Sequence, residues 1–168
     1  MRPSADYWIQ QFQLTEHVEG GSFRELYRSP LQAPAAALPA AFNGSRNFCT
    51  GIYFLLKKTQ FSAFHRIQSD ELWHFYYGDP LVVYELDTNG VLTEHRLGSD
   101  PGQGQQFQRM IKAGSWFASR VQEGGEYALV GCTVSPGFDF ADFELAGRED
   151  LATLYPQHRK LIEELTRL

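Results

Sequence analysis

Between residues 47 and 145 the chain is a succession of short apolar runs, each cut off by glycine, proline or a polar turn, and no other feature restricts its fold so closely. The runs are NFCTGIYFLLK (47–57), FSAFHRI (61–67), ELWHFYYG (71–78), LVVYELD (81–87), VLTEHRL (91–97), QFQRMIK (106–112), SWFASRV (115–121), EYALVGCTV (126–134) and FDFADFEL (138–145). Strands this short, separated by such breaks, are the pattern of a β-sandwich or barrel. The first run is nearly all apolar and is expected to be buried. Asp87-Thr88-Asn89-Gly90 is expected to be a hairpin, because Asn-Gly tolerates the positive φ angles of a tight reversal.

The flanks are different. Residues 4–12 read as a short helix capped by Ser4 or Asp6, with Trp8, Ile9 and Phe12 on one face. At 23–29, Phe23, Glu25 and Tyr27 alternate with Arg24, Leu26 and Arg28, which is strand spacing. The Ala- and Pro-rich segment 29–46 is expected to be a surface loop, and a loop that long often covers a site or a partner surface. PQHRKLIEELTRL (156–168) is expected to be a helix, with Leu161, Ile162, Leu165 and Leu168 on its apolar face. With 168 residues and no linker or repeat, the spacing predicts one domain, 1–168.

Composition removes several classes of function. A formal net charge of −5 offers no footprint for nucleic-acid phosphate or an anionic membrane surface. The N-terminus has no signal-type apolar run, and no stretch reaches the ~20 apolar residues of a membrane helix, so a cytoplasmic protein is expected. The two cysteines, Cys49 and Cys132, form no CxxC motif and are expected to be buried free thiols. Aromatics at 14% supply large flat side chains suited to sheets and ligand pockets.

FSAFHRIQSDELWHFYYGDPL (61–81) resembles the first conserved motif of cupins, with His65, Glu71 and Gly78 at the matching positions, and MIKAGSWFAS (110–119) resembles the second. Together with HVEGGSFRELYRS and VGCTVSPGFDFADFELA, these blocks resemble the Cupin-5 family of small proteins across roughly residues 7–165. The resemblance implies an all-β double-stranded β-helix, the cupin jelly-roll barrel, here with short N- and C-terminal helices. It also implies an open-ended pocket and a homodimer. The fold hosts many functions and does not settle the chemistry.

Metal-binding cupins use three histidines and one glutamate. Carried over by position, Glu71 matches the glutamate and His65 one histidine. The other two matching positions hold Ala63 and Phe117, neither of which ligates, and Lys112 replaces a usual proline. No metal or other cofactor is therefore expected; a reduced metal site would fall to His65 and Glu71. His74 lies on the opposite strand parity from Glu71 and is expected in an inter-sheet or dimer contact. His17 sits in a loop within possible reach of the pocket, and His95 and His158 read as surface residues.

Sugar-nucleotide epimerases of the cupin superfamily work without metal, a histidine removing a proton next to a carbonyl and a tyrosine protonating the other side. By that resemblance His65 would be the base, Glu71 its orienting partner, and Tyr53 or Tyr127 the acid. Arg24 and Arg66 are candidates for gripping an anionic ligand; they equally suit salt bridges to Glu25, Asp70 or a second subunit. Trp73 and Trp116 would make a stacking wall for a sugar or purine, or simply pack in the core. Asp139 and Asp142 would close one barrel end or form a solvent face. Three readings stay open: a metal-independent sugar or keto-acid isomerase or epimerase, a non-catalytic binder of a small nucleotide or sugar derivative, and a metal enzyme with a reduced ligand set.

Overall fold

In the computed structural model, which describes residues 2–167, two antiparallel sheets face each other. The chain runs α1 (Ala5–Phe12), β1 (Thr15–Glu16), β2 (Ser22–Arg28), β3 (Gln32–Ala33), β4 (Arg46–Asn47), β5 (Thr50–Lys57), β6 (Phe61–Arg66), β7 (Asp70–Gly78), β8 (Leu81–Leu86), β9 (Leu92–Leu97), β10 (Gln108–Ile111), β11 (Trp116–Val121), β12 (Tyr127–Ser135), β13 (Glu144–Leu145), α2 (Arg148–Leu154) and α3 (Arg159–Glu164). The larger sheet has the order β1-β2-β5-β12-β7-β10 and the smaller β13-β6-β11-β8-β9. Successive strands cross between sheets, which is the jelly-roll arrangement; the sheets stay open rather than closing into one hydrogen-bonded cylinder. Among the described residues, no helix is long and apolar enough to cross a membrane.

Three apolar layers hold this frame. Between the sheets, Phe54, Trp73, Leu81, Val83, Ile111 and Phe117 interdigitate. On the outer face of the larger sheet, α1 lays Trp8, Ile9 and Phe12 over Leu55, Tyr127 and Leu129. On the outer face of the smaller sheet, α2 and α3 cover Phe64, Trp116 and Ala118 with Leu151, Ile162 and Leu165. Strands β5 and β12 are therefore covered on both faces over much of their length, which is why their sequences lack a clean polar–apolar alternation. Leu168 lies outside the described residues.

Two local readings are corrected. FDFADFEL is not one strand: Phe140–Asp142 is a 3-10 turn, and only Glu144–Leu145 pairs with β6. Asp139 caps that turn, its Oδ1 accepting from the Ala141 amide at 2.8 Å, so the phenylalanine alternation reflects mutual packing of Phe138, Phe140 and Phe143. Helix α2 was not foreseen, although Glu149 and Asp150 in its first turn are an N-terminal signal; the last helix begins as a 3-10 turn at Pro156–His158. The 29–46 segment is a largely exposed loop, as expected, and it is tethered. It carries the β3–β4 pair and ends in Arg46, whose buried guanidinium grips Asp142 through two 2.6 Å bonds.

Candidate functional site

One end of the sandwich opens into a cavity of about 490 Å³, within the range of small-ligand sites. Its floor carries His65 from β6 of the smaller sheet, Glu71 and Cys132 from β7 and β12 of the larger, and Glu19 from the β1–β2 turn. Strand parity places Glu71 inward with Trp73, and sends His74 outward, where it bonds Thr133 Oγ1 at 2.9 Å and stacks parallel to Tyr76.

Glu19 reaches the floor because two glycines follow it. Gly20 and Gly21 have φ of +115° and +77°, and a Cβ on Gly20 would lie 2.1 Å from the Phe61 carbonyl oxygen. The turn is pinned by main-chain bonds: Ala63 N–H donates to Glu19 O at 2.8 Å, and Arg167 also donates to that oxygen at 3.0 Å. Glu19 Oε2 then sits 3.1 Å from His65 Nε2.

This geometry fixes the protonation of His65. Its Nδ1 lies 2.7 Å from the Ala63 carbonyl, which only accepts, so Nδ1 carries hydrogen. Nε2 then bears the lone pair and lies nearest Glu19. Burial pushes His65 below and Glu19 above its ordinary value, which favours the uncharged form of each. Glu71, buried beside them, is pushed up to about 7, chiefly by desolvation, with Glu19 adding to the rise while His65 and Cys132 oppose it. His17 is lowered by burial too, and its Nδ1 accepts from the Glu19 amide at 3.3 Å.

The mouth is lined by Phe23, Glu25, Arg28, Phe138, Asp139 and Phe140. Arg28 shares the mouth with Glu25 because the β2–β5 register shifts between Glu25 and Tyr27, reversing the parity. Four of the five Arg28 guanidinium N–H groups are engaged: Nε and Nη2 on the Glu25 carboxylate at 3.0 and 2.8 Å, and Nη1 on Asn47 Oδ1 and Phe138 O, both at 3.0 Å.

Of the residues singled out from sequence, His65, Glu71 and Cys132 come together on the floor, with His17 nearby and Asp139 at the mouth; the others do not reach the cavity. Tyr53 packs on Phe12 and Tyr76 outside the larger sheet. Tyr127 is on that outer face as well, its hydroxyl donating to Pro3 O and accepting from Trp8 Nε1. Neither supplies an acid to the cavity. Arg24 points outward to Phe12 O and Gln13 Oε1. Arg66 pairs with Glu144 and covers Trp116, whose ring belongs to the outer core of the smaller sheet. Trp73 is core, with its ring against Phe54 and Phe117. His95 is buried, 2.7 Å from Glu85, instead of lying at the surface, and His158 is half-buried on Gly90 O. Asp142 is buried on Arg46; Asp139 is at the mouth. Cys132 is buried and Cys49 half-buried, both free. Glu19 and Arg28 were missed because alternation says nothing about a turn residue or a position beyond a bulge; the Glu19-Gly20-Gly21 tract was the available signal.

The pattern of the family described as Cupin superfamily (DUF985), Cupin_5, matches residues 6–146. The chain belongs to that family. Protein SO0799 from Shewanella oneidensis superposes with a TM-score of 0.87 at 40% identity, covering 99% of each chain. A hypothetical protein from Leishmania major gives 0.90 at 32% identity, covering 99% of this chain and 100% of that one. The uncharacterized protein YML079W of Saccharomyces cerevisiae is 29% identical over 154 residues, 84% of this chain and 75% of the yeast protein.

The metal of other cupins does not fit this member. Ala63 is fully buried against the Glu19 main chain, and the Phe117 ring lies 4.1 Å from the His65 ring at the paired position of β11. His65 Nε2 already faces Glu19. Among the described residues, no group of three or more His, Cys, Asp or Glu side chains is arranged to hold a metal ion.

Proposed function

We propose that this cupin moves protons on a small carbonyl compound without metal, as an isomerase or epimerase does. The observation that carries the reading is a desolvated cavity floor where protonatable groups from two opposed sheets meet, Glu71 and Glu19 from the side of the larger and His65 from the smaller. A carboxyl group at about 7 is half-ionised near neutrality, the condition in which a group both takes and returns a proton efficiently. Glu71 as carboxylate takes a proton from the carbon next to the carbonyl. The Glu19–His65 pair delivers a proton to the enediolate oxygen or to the neighbouring carbon. The two groups then exchange protons with solvent, so atoms and charge balance over the cycle. His65 changes from the base of the sequence expectation to half of a proton-holding pair, and Glu19 replaces the tyrosine.

The second reading is a binding protein without turnover, favoured by the apolar mouth of Phe23, Phe138 and Phe140. The two separate in a deuterium wash-in assay. Chelator-dialysed protein is incubated in D2O with a panel of aldoses, ketoses and keto acids, and exchange at carbon is followed by NMR. Proton transfer is expected to label at least one compound, with the rate falling ~10²-fold or more in Glu71→Gln and in His65→Ala. Undiminished exchange in both variants would remove the proposal, and ligand retention with no exchange would favour the binding reading. The proposed assembly is a homodimer through the outer face of the larger sheet, where Leu26, Tyr76 and Met110 are exposed; sedimentation equilibrium checks it.

A further inference from the structure

The charge of the lining points to the class of ligand. The cavity presents four carboxyl groups, Glu19, Glu25, Glu71 and Asp139, against one guanidinium, that of Arg28. That guanidinium is already neutralised by Glu25, and each of its nitrogens is bonded. His17 and His65 are held neutral by burial. The two arginines that would have gripped an anion, Arg24 and Arg66, are outside. A carboxylate or phosphate entering here would meet net negative charge and, among the lining residues, one guanidinium already paired with Glu25.

A cation meets the reverse. Glu71 is 8% exposed and lines the cavity, and among the described residues it has no arginine or lysine beside it; the Cys132 thiol is its hydrogen-bonding neighbour. Such a carboxylate has lost water and gained little in return, and it would regain that loss from an N–H donor carrying positive charge. The way in passes the faces and edges of Phe23, Phe138 and Phe140, and aromatic faces attract cations through their quadrupole. The volume of about 490 Å³ admits a ring with a short side chain.

We propose that the cavity selects a cationic ligand, a protonated amine or amidine on an apolar body of about one or two rings, with Glu71 as its counter-ion and the three phenylalanines around it. This rests on the reading of the cavity as a ligand site, and it is independent of whether that ligand is turned over.

The test uses three probes that share one body and differ in charge: phenethylamine, 2-phenylethanol and phenylacetate. Each is titrated into the full chain at pH 8, where Glu71 is mostly ionised, and followed through the backbone amide shifts of cavity residues. The amine is expected to bind roughly tenfold tighter than the alcohol, with the acid weakest. Glu71→Gln is expected to remove the preference, bringing the amine to the level of the alcohol. The comparison of probes on the wild-type protein decides the matter even where the variant folds poorly. Binding of the alcohol or the acid as tightly as the amine overturns the charge class while the cavity remains a ligand site. If none of the three shifts a cavity residue, the ligand-site reading falls with it.

Discussion

Replacing Glu71 by Gln tests whether the cavity floor is as dry as its geometry implies. The native protein holds the Glu71 proton to about 7, against an ordinary value of 4.5 in an unfolded chain. Between those values the native state binds more protons than the unfolded state, so this residue's contribution makes stability fall as pH rises, and the loss is complete above about pH 7. Each pKa unit is worth ~1.4 kcal/mol, so the full cost is about 3 kcal/mol, of which roughly 2.5 accrues between pH 5 and pH 8. Glutamine keeps the shape and cannot ionise. The variant is therefore expected to gain about 2–3 kcal/mol on the wild type from pH 5 to pH 8, and nothing further above it. The groups facing Glu71 are Glu19, His65 and Cys132, with His17 on the far side of Glu19. The lowered histidines act oppositely: the unfolded chain protonates them first, so their contribution rises with pH up to about 6.5. They are present in both proteins, which is why the difference between the two urea denaturation series is the informative quantity. A difference that does not change with pH, or one in which the wild type gains on the variant, would show Glu71 to be ionised already at pH 5 and would refute the desolvation argument.

Three further substitutions probe the supports of the site. Arg46→Ala leaves Asp142 buried without its partner and is expected to cost about 3–5 kcal/mol in urea denaturation, whereas Arg46→Met with Asp142→Leu recovers most of that loss. Tyr127→Phe removes the acceptor of Trp8 Nε1 and the donor to Pro3 O, costing about 1–2 kcal/mol; it is expected to leave ligand binding in the cavity unchanged, since the ring lies on the other face of the sheet. Gly20→Ala puts a methyl group into the Phe61 carbonyl at an unfavourable φ, and is expected to lower stability by more than ~2 kcal/mol and to weaken cavity ligands by withdrawing Glu19.

The strands were legible because turn residues and apolar runs are local signals. The run 71–78 and strand β7 differ by one residue at the start, and parity put Glu71 and His74 on opposite faces; that Glu71 is the inward one came from the resemblance to the cupin motif. What could not be read depended on contacts between distant parts of the chain. Arg28 faces the mouth through a bulge in β2 that nothing in FRELYRS announces. Tyr53 and Tyr127 carry the right chemistry for an acid, yet α1 packs over them, and only the assignment of each strand to a face decides that. Trp73 and Trp116 lie on opposite faces of the sandwich walls, one in the central core and one beneath the C-terminal helices, so they never formed one wall for a ligand to stack on.

The departures from the metal-binding cupin pattern are best understood as one packing solution. Counted along the sequence, Ala63 and Phe117 are two independent losses of a ligand. In the fold both positions adjoin His65: Ala63 offers its carbonyl to Nδ1 and its amide to Glu19, and Phe117 lies beside the ring. The Glu19 main chain can lie against β6 because residue 63 is small, and it can turn there because Gly20 and Gly21 follow. A histidine at 63 would need the space this turn fills, since Ala63 is already fully buried. A small residue at 63 thus makes room for a second carboxyl group beside His65 Nε2, and on the proposed reading the floor works with protons carried by Glu19, His65 and Glu71 in place of a metal ion.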